Sequence, residues 1–442
     1  MKKPILILTL VYLVLLIFIF HPRISGNDEI GYYVYLRSAV FDRDFDFTNE
    51  FEYYKNSYLI VGYSPVTGKP VNGLPIGSAV LWLPFFLLAH IGIWISHLWG
   101  SSISMDGYSK PYVDAICFGS SYYAFLGILL IFQLARKIFS TINKVSIKTI
   151  VVSIILFWLS SPLIFYMYLQ PAMAHANSVF AVSLFFYLWY RYRNQDTWLK
   201  WLLLGLSGCL MTLVRFQDAI FLIIPWLDYC INQDRNNRKR FVVIIRNIAV
   251  FLIAFILFFI PQLIAWKAIF GSYFSGPESH SIVSGTNIMH PHLIAILFSG
   301  RHGLITWNPI ILLSIFGAIW FWKKVPSVIS MLGFVFILQM YLISCWHEWW
   351  GAHSFGHRMF LSSTPFFIIG LIAFINRIKQ RINWRWIYGI SILFILWNFG
   401  LIAQYSLGII DRDGTTPFQI VIYNQFMVVP LQLKNILHYF IP

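Results

Sequence analysis

Apolar runs of about 20 residues recur along the whole chain, with short polar segments between them. A run of that length suits a helix that crosses the hydrocarbon core of a bilayer, because an α-helix rises about 1.5 Å per residue. The pattern therefore predicts an all-α fold, a polytopic transmembrane helical bundle of about 11 spans. The predicted spans lie near residues 4–20, 113–134, 149–167, 176–190, 201–214, 218–232, 247–266, 304–322, 326–345, 359–375 and 386–405.

The composition agrees with this class. Hydrophobic residues make up 58% of the 442 residues and charged residues only 11%, whereas a soluble domain carries about 25% charged residues. We expect the first run to be a retained anchor rather than a signal peptide, because no small-residue cleavage site follows Phe20. The cysteines lie in or beside apolar runs, so we expect free thiols and no disulfide framework. They are Cys117, Cys209, Cys230 and Cys345.

The net charge of +15 is concentrated in six basic clusters between the predicted spans. Basic loops are retained in the cytoplasm, and a topology that keeps all six there also places the N-terminus inside and the C-terminus outside. A basic cytoplasmic face is attracted to anionic membrane lipids, so the net charge does not indicate a nucleic-acid partner. The clusters are Lys2–Lys3, Arg136–Lys148, Arg191–Lys200, Arg235–Arg246, Lys323–Lys324 and Arg377–Arg385.

One apolar segment does not fit this alternation. Ile76–Trp99 is long enough to cross a bilayer, but counting it as a span would invert every later basic loop. We therefore expect a helix that lies in or dips into the outer leaflet and is interrupted at Pro84. A true span, compensated by a missed span elsewhere, stays open.

The predicted topology puts almost all titratable chemistry on the external side. Of the 17 acidic residues all but Asp196, Asp228 and Asp234 lie there, as do all 12 histidines. The chain is thus predicted to be a single integral membrane domain (1–442) whose functional residues lie on the external side of the membrane. Residues 21–112 form its first external loop with membrane-surface helices, and 406–442 form an external tail.

The first external loop opens with two adjacent carboxylates, Asp28 and Glu29, just beyond the first span. Acidic residues at a water–lipid boundary are functional candidates. The alternative is that the two carboxylates only keep the start of the loop in contact with water. Further along, alternating acids at 42–46 could bind calcium, but the glycine turn and terminal glutamate of a helix–loop–helix site are missing. A metal site is therefore not predicted, and a divalent cation requirement stays open.

Three later external segments carry further candidates. His175 lies between two spans, and Arg215 and Gln217 lie in a polar hinge where Arg215 and Asp218 could simply neutralise each other. The segment 346–358 combines three tryptophans with His353 and ends at Arg358. Its residues suit a zinc site, an interfacial aromatic belt or a platform for a sugar ring. The zinc-protease motif fails, because Gly351 stands four residues after His347.

The order and sidedness of several motifs resemble the C-type (GT-C) membrane glycosyltransferases over about residues 1–375. This family includes the protein O-mannosyltransferases and the lipid A aminoarabinose transferase. The chain lacks a large soluble C-terminal domain, which weighs against an oligosaccharyltransferase-like member. The motifs are Asp28-Glu29, the predicted turn at Lys69-Pro70, Pro75-Ile76-Gly77, Leu83-Pro84-Phe85-Phe86, Ser299 to Leu304 with Asn308-Pro309, and Trp350-Gly351 through Phe355 to Arg358.

The resemblance implies an inverting transfer of a sugar from a polyprenyl-phosphate donor to an acceptor hydroxyl on the external face of a bacterial inner membrane. The acceptor would be a lipid, a glycan or a protein. Asp28 is then the expected general base, with Glu29 orienting the base or the acceptor. The expected cations for the donor phosphate are Lys69, Arg301 and Arg358. The expected sugar or acceptor contacts are His175, Arg215, Gln217, Trp350 and His353.

Two other classes stay open. A transporter or lipid flippase of the cell envelope would also be polytopic, but should carry ionisable residues near the midplane and an inverted repeat. The sequence shows no convincing repeat. A non-catalytic assembly or scaffold protein would have no need of Asp28.

Overall fold

The computed structural model describes residues 2–55, 62–140, 145–232, 240–274, 286–412 and 414–432. These residues form helices joined by loops and no strand beyond two isolated β-bridges. Helices α1–α9 are Lys2–Ile19, Asn27–Arg37, Thr48–Tyr53, Gly77–His97, Lys110–Ser140, Ile147–Leu159, Leu163–Tyr168, Ala174–Tyr192 and Trp198–Val214. Helices α10–α18 are Ile223–Asn232, Arg240–Phe270, Leu293–Phe298, Leu304–Trp307, Ile310–Trp322, Pro326–Ser344, Thr364–Ile378, Trp384–Ser406 and Phe418–Tyr423.

Several helices are those of a membrane protein. Seven helical segments in the described part of the chain are long and apolar enough to cross a bilayer. Three shorter apolar helices, α6, α9 and α14, accompany them. The all-helical class is therefore confirmed, while the number of spans stays a prediction. The seven segments are Lys2–Ile19, Gly77–His97, Lys110–Ser140, Val242–Phe270, Ser327–Ser344, Arg358–Ile378 and Trp384–Ser406.

Two of the predicted spans are divided by proline. The run 149–167 breaks between Leu159 and Leu163, around Pro162, and the run 304–322 breaks at Asn308–Pro309. Proline lacks a backbone donor and pushes the preceding residue away from helical angles. A single straight helix over either run is therefore a wrong prediction.

Pro84, in contrast to these prolines, does not divide its helix. Helix α4 continues through it from Gly77 to His97, so the predicted interruption is wrong. Apolar membrane helices tolerate an internal proline where neighbouring groups compensate the lost hydrogen bond. At 21 residues α4 is also long enough for a crossing, the alternative that the sequence left open.

The chain forms two compact units, each built from separate stretches. Unit 1 comprises Met1–Val11, Ala135–Phe165 and Gly285–Pro442, and unit 2 comprises Tyr12–Leu134 and Tyr166–Ser284. In unit 1, α14 and α16 pack at Gly317 and Gly370, where a side chain on either would overlap the other helix. Small residues allow such close packing of membrane helices.

Helix α2 is enclosed by unit 2, and all its residues from Glu29 to Leu36 are buried. The sequence predicted membrane-surface helices in this loop, and the contact of α2 with a bilayer stays a prediction. Its apolar and aromatic side chains surround the helix on all sides, which is the pattern of a buried helix rather than of a one-sided surface helix. The first turn of α2 is consequently held by protein.

Substitution Gly77→Ala should destabilise unit 2. A Cβ atom on Gly77 would overlap the backbone of Leu213, and overpacking of this kind costs roughly 1–3 kcal/mol. We expect a lower melting temperature of the detergent-solubilised chain, measured by tryptophan fluorescence. Gly92→Ala in the same helix is the control, because a Cβ there meets nothing within 4 Å. Equal melting temperatures for the two variants would contradict the close approach of α4 and α9.

Candidate functional site

The start of α2 is fixed by the Glu29 carboxylate. Its Oε2 accepts hydrogen bonds from the backbone N–H of Ser25 (2.6 Å) and of Gly26 (2.8 Å), and from the Ser25 hydroxyl (3.1 Å). A glutamate at the third helical position that reaches back in this way satisfies amides that the helix leaves without partners. Glu29 thus positions the first turn of α2.

Glu29 and Asp28 have different surroundings. Glu29 is fully buried, and this burial raises the pKa of its carboxyl, against the lowering effect of the hydrogen bonds from Ser25 and Gly26. Asp28 is half-exposed. Asp28 is therefore the carboxylate of the pair that a substrate can reach, and Glu29 is placed to hold it.

Lys69 lies in a small turn that the sequence predicted. The Ser64 N–H donates to the Lys69 carbonyl (2.8 Å), Tyr63 and Pro70 form an isolated bridge, and Gly68 has a φ of 70°. The left-handed conformation explains the glycine, which alone adopts it without strain. No described residue forms a hydrogen bond or ion pair with the Lys69 ammonium, which is half-buried.

Asn72 ties this turn to α2. Its Nδ2 donates to the Gly31 carbonyl (2.7 Å), and the Tyr35 hydroxyl donates to the Asn72 carbonyl (3.3 Å). A Cβ on Gly31 would press into Leu74, so the chain approaches α2 closely here. The segment that carries Lys69 and the helix that carries Asp28 therefore form one packed piece.

The structure brings His175, Arg215 and Gln217 together in unit 2. Arg215 Nη1 lies 2.8 Å from His175 Nδ1, and Arg215 Nη2 donates to Gln217 Oε1 (3.1 Å). His175 and Arg215 are buried, while Gln217 is half-exposed. Nearby, the Ser178 hydroxyl donates to the buried Asp218 carboxylate (2.6 Å). Of the three predicted contact residues, Gln217 is the one with accessible polar atoms.

In unit 1, two of the predicted site residues, Arg301 and Trp350, stack on each other. The Arg301 guanidinium lies over the Trp350 ring, 3.7 Å from its centroid. His302, which the sequence analysis did not single out, places its Nδ1 3.1 Å from the Trp350 carbonyl. His302 and Ala352 have φ values of 57° and 55°, a left-handed conformation that is strained for residues other than glycine. Such strain is common at functional sites.

Arg358 belongs to the same cluster. Its side-chain stem lies beside Gly351, where a Cβ would be 3.7 Å from Arg358 Cγ. His357 is fully buried, and burial, with the nearby charge of His302, lowers the pKa of its imidazole to about 3. The ring is thus neutral at physiological pH. His353 is exposed at the loop surface.

Charge divides unequally between the units. Unit 1 contains only Glu348, Asp411 and Asp413 of the 17 acidic residues, but 16 of the 32 basic ones. The remaining carboxylates, including Asp28 and Glu29, belong to unit 2. Twelve of the 16 basic residues belong to the clusters predicted to face the cytoplasm, so this surplus does not describe the surroundings of Arg301 and Arg358.

The acidic turn at 42–46 is held by hydrogen bonds within the protein. Ser38 Oγ donates to Asp44 (2.8 Å), and Thr48 Oγ1 donates to Asp46 (2.7 Å). Over the described ranges no group of three or more His, Cys, Asp or Glu side chains is arranged to hold a metal ion. A divalent cation requirement stays open.

The chain matches no protein-family model and no curated protein. The functional interpretation consequently depends on the residues of the two units and on the sequence motifs.

A second buried carboxylate, Glu50, lies at the other end of α2. Arg37 donates to Glu50 Oε1 (2.9 Å) and also pairs with Asp42. Burial nevertheless raises the pKa of Glu50 to about 7, because desolvation outweighs the attraction of Arg37. The folded state therefore resists ionisation of this carboxyl between its ordinary pKa of 4.5 and 7.

Glu50 should make stability depend on pH. Its contribution is complete below about pH 4.5 and is lost as the pH rises towards 7, because only the unfolded state ionises readily in that window. The full loss is about 3 kcal/mol. We expect the melting temperature of wild type, relative to Glu50→Gln, to fall over this range. Glu52→Gln, which alters an exposed carboxylate, should keep the wild-type profile; parallel profiles for wild type and Glu50→Gln would refute the effect.

Proposed function

We propose that the protein is a glycosyltransferase of the GT-C type in the bacterial inner membrane. It would transfer a sugar from a polyprenyl-phosphate donor to an acceptor hydroxyl on the external face, within the 11-span topology expected from the sequence. One observation carries the proposal. Asp28, an accessible carboxylate, and Lys69, whose ammonium has no partner among the described residues, lie on one packed piece of unit 2.

These two groups suit the two charges that the transfer creates. Asp28 accepts the proton of the acceptor hydroxyl while that oxygen attacks the anomeric carbon. The bond from the anomeric carbon to the phosphate oxygen breaks, its electron pair stays on the departing polyprenyl phosphate, and the anomeric configuration inverts. Lys69 neutralises the growing phosphate charge. An activated phosphate needs little acid assistance, so one carboxylate base suffices, unlike in glycoside hydrolysis.

Unit 1 has its own candidate phosphate ligands, Arg301 and Arg358, which the resemblance implies. A planar guanidinium binds two phosphate oxygens at once, and it is less strongly hydrated than an ammonium. Stacking on Trp350 fixes the plane of Arg301. The resemblance assigns sugar or acceptor contacts to Gln217 in unit 2 and to Trp350 and His353 in unit 1. The buried His175–Arg215 pair positions Gln217 through its hydrogen bond.

Loss of the Asp28 carboxylate should abolish transfer. We expect Asp28→Asn to fold but to lower the rate by at least a hundredfold, since general base catalysis contributes roughly 10²–10⁴-fold. The measurement is mass spectrometry of envelope lipids and glycans from cells that lack the gene and carry either the wild type or the variant. A hexose or pentose restored only by wild type identifies the product.

The control is Asp114→Asn, which removes an exposed carboxylate paired with Lys110 and costs little stability. It should restore the product fully. If Asp28→Asn restores the product as well, Asp28 is not the base, and a transporter or flippase becomes the better explanation.

Replacing Arg301 by lysine should weaken use of the lipid donor. Arg301→Lys keeps the charge but loses the bidentate fork, and hydrogen bonds to charged groups contribute roughly 1.5–3 kcal/mol. We expect kcat/KM for the polyprenyl-phosphate donor to fall about tenfold or more. Arg412→Lys is a matched control, because Arg412 also stacks on an aromatic ring of unit 1, that of Tyr405 at 4.9 Å. An equal effect of both variants would argue against a specific phosphate contact.

A further inference from the structure

Two tyrosines of unit 2 form a stack with one open face. The rings of Tyr53 and Tyr108 lie 3.9 Å apart and 17° from parallel, and the Arg37 guanidinium lies 4.6 Å from the Tyr108 centroid. Arg37 and Tyr53 cannot occupy the same side of one ring, so they cover opposite faces of Tyr108. Tyr53 is 58% exposed, and its other ring neighbour among the described residues, Tyr54, meets it edge-on at 5.0 Å. Within the described part of the chain no ring stacks on the outer face of Tyr53.

The base of this stack is rigid. Arg37 is held by Asp42 and Glu50, and the Tyr33 hydroxyl donates to the Gly107 carbonyl beside Tyr108. Tyr33 also meets the edge of Tyr54 at 6.3 Å. An aromatic face held in place loses little conformational freedom when a ligand binds to it.

Polar groups flank the open ring on one side. Asn49, Glu52 and Tyr53 are three and four residues apart in α3, so they share one face of that helix. All three are exposed. The Asn49 amide already donates to Asp42 (2.9 Å) and accepts from the Glu50 N–H (3.0 Å), which leaves its second N–H and the Glu52 carboxylate for a ligand. These groups suit the hydroxyls at the edge of a sugar ring, and the aromatic face suits its C–H groups.

The charge of the surroundings selects among ligands. Glu52 and Asp42 are acidic, and the charge of Arg37 is already matched by Asp42. A phosphate-bearing or otherwise anionic ligand would therefore be repelled. An acyl chain would find polar side chains beside Tyr53 instead of an apolar groove.

The distance from Asp28 sets the size of the ligand. The stack lies at the level of Arg37, nine residues after Asp28 on α2, which is about 14 Å along the helix axis. A ligand with one hydroxyl at Asp28 and another part on Tyr53 must be extended. Binding energy from such remote contacts can serve catalysis at the reacting end.

We infer that the Tyr53–Tyr108 stack, with Asn49 and Glu52, binds an uncharged oligosaccharide as the acceptor of the transfer. This inference rests on the proposed function, because it names the acceptor class for that site. It makes the Tyr53 ring the remote anchor of the acceptor chain.

The test is direct binding to the full-length protein in lipid nanodiscs. The probes are a length series of neutral gluco- and manno-oligosaccharides, a phosphate-bearing glycan and a choline-bearing glycan. We expect affinity for the neutral series to increase with length, and Tyr53→Ala to weaken it about tenfold. Tyr53→Phe should keep it, because the ring face provides the contact. Tyr423→Ala, which removes a tyrosine of similar exposure (61%) in unit 1, should also keep it.

Three outcomes would overturn the inference: neutral glycans bind equally well to Tyr53→Ala, the anionic or choline-bearing glycan binds best, or no neutral glycan binds. The first is the result expected if Tyr53 is only an interfacial anchor. The assay does not require turnover, and we expect the same binding with Asp28→Asn. Tyr53-dependent binding without any sugar transfer would support the stack while refuting the transferase. Sugar transfer that does not depend on Tyr53 would support the transferase while refuting the role of the stack.

Discussion

Burial of the Glu29 carboxylate is the constraint on which the arrangement of unit 2 depends. An ionisable group in the interior is costly unless its polar atoms are satisfied. Three donors from Ser25 and Gly26 converge on Oε2 of Glu29, whereas Oε1 is buried without a hydrogen-bond partner among the described residues. The start of α2 cannot shift without exposing or breaking this cluster. Asp28 therefore takes its position from its buried neighbour.

The same helix organises much of the proposed chemistry. Its first turn carries Asp28, its middle accepts the Asn72 hydrogen bond that attaches the Lys69 turn, and its last turn supports the tyrosine stack through Arg37. The proposed base lies on α2, and the proposed cation and remote anchor are attached to that helix, which keeps their separations fixed. Fixed separations are what an extended acceptor needs if its reacting hydroxyl is to meet the base.

The sequence predicted the helical class because long apolar runs have few alternatives in a membrane protein. It also predicted the Lys69 turn, where glycine and proline determine the backbone locally. It did not predict what tertiary packing decides: α2 is buried, and α4 passes through Pro84, where the sequence wrongly predicted an interruption. The sequence could not separate Asp28 from Glu29, because burial differs between adjacent residues only in the folded chain. His302 and His357 were visible within the motifs around Arg301 and Arg358, but only the backbone conformation and burial distinguish them.

The loop that joins Trp350 to Arg358 is strained, and this bears on its role. Left-handed residues other than glycine cost roughly 1–3 kcal/mol each, and unit 1 contains two of them, His302 and Ala352, beside its stacked arginine. A scaffold selected only for stability would place glycine or a relaxed turn there. His302 instead uses its conformation to reach the Trp350 carbonyl, and Trp350 in turn fixes Arg301. These two contacts hold the orientation of Arg301 at the cost of the strain, and the proposed stabilisation of a developing phosphate charge requires a cation held in this way.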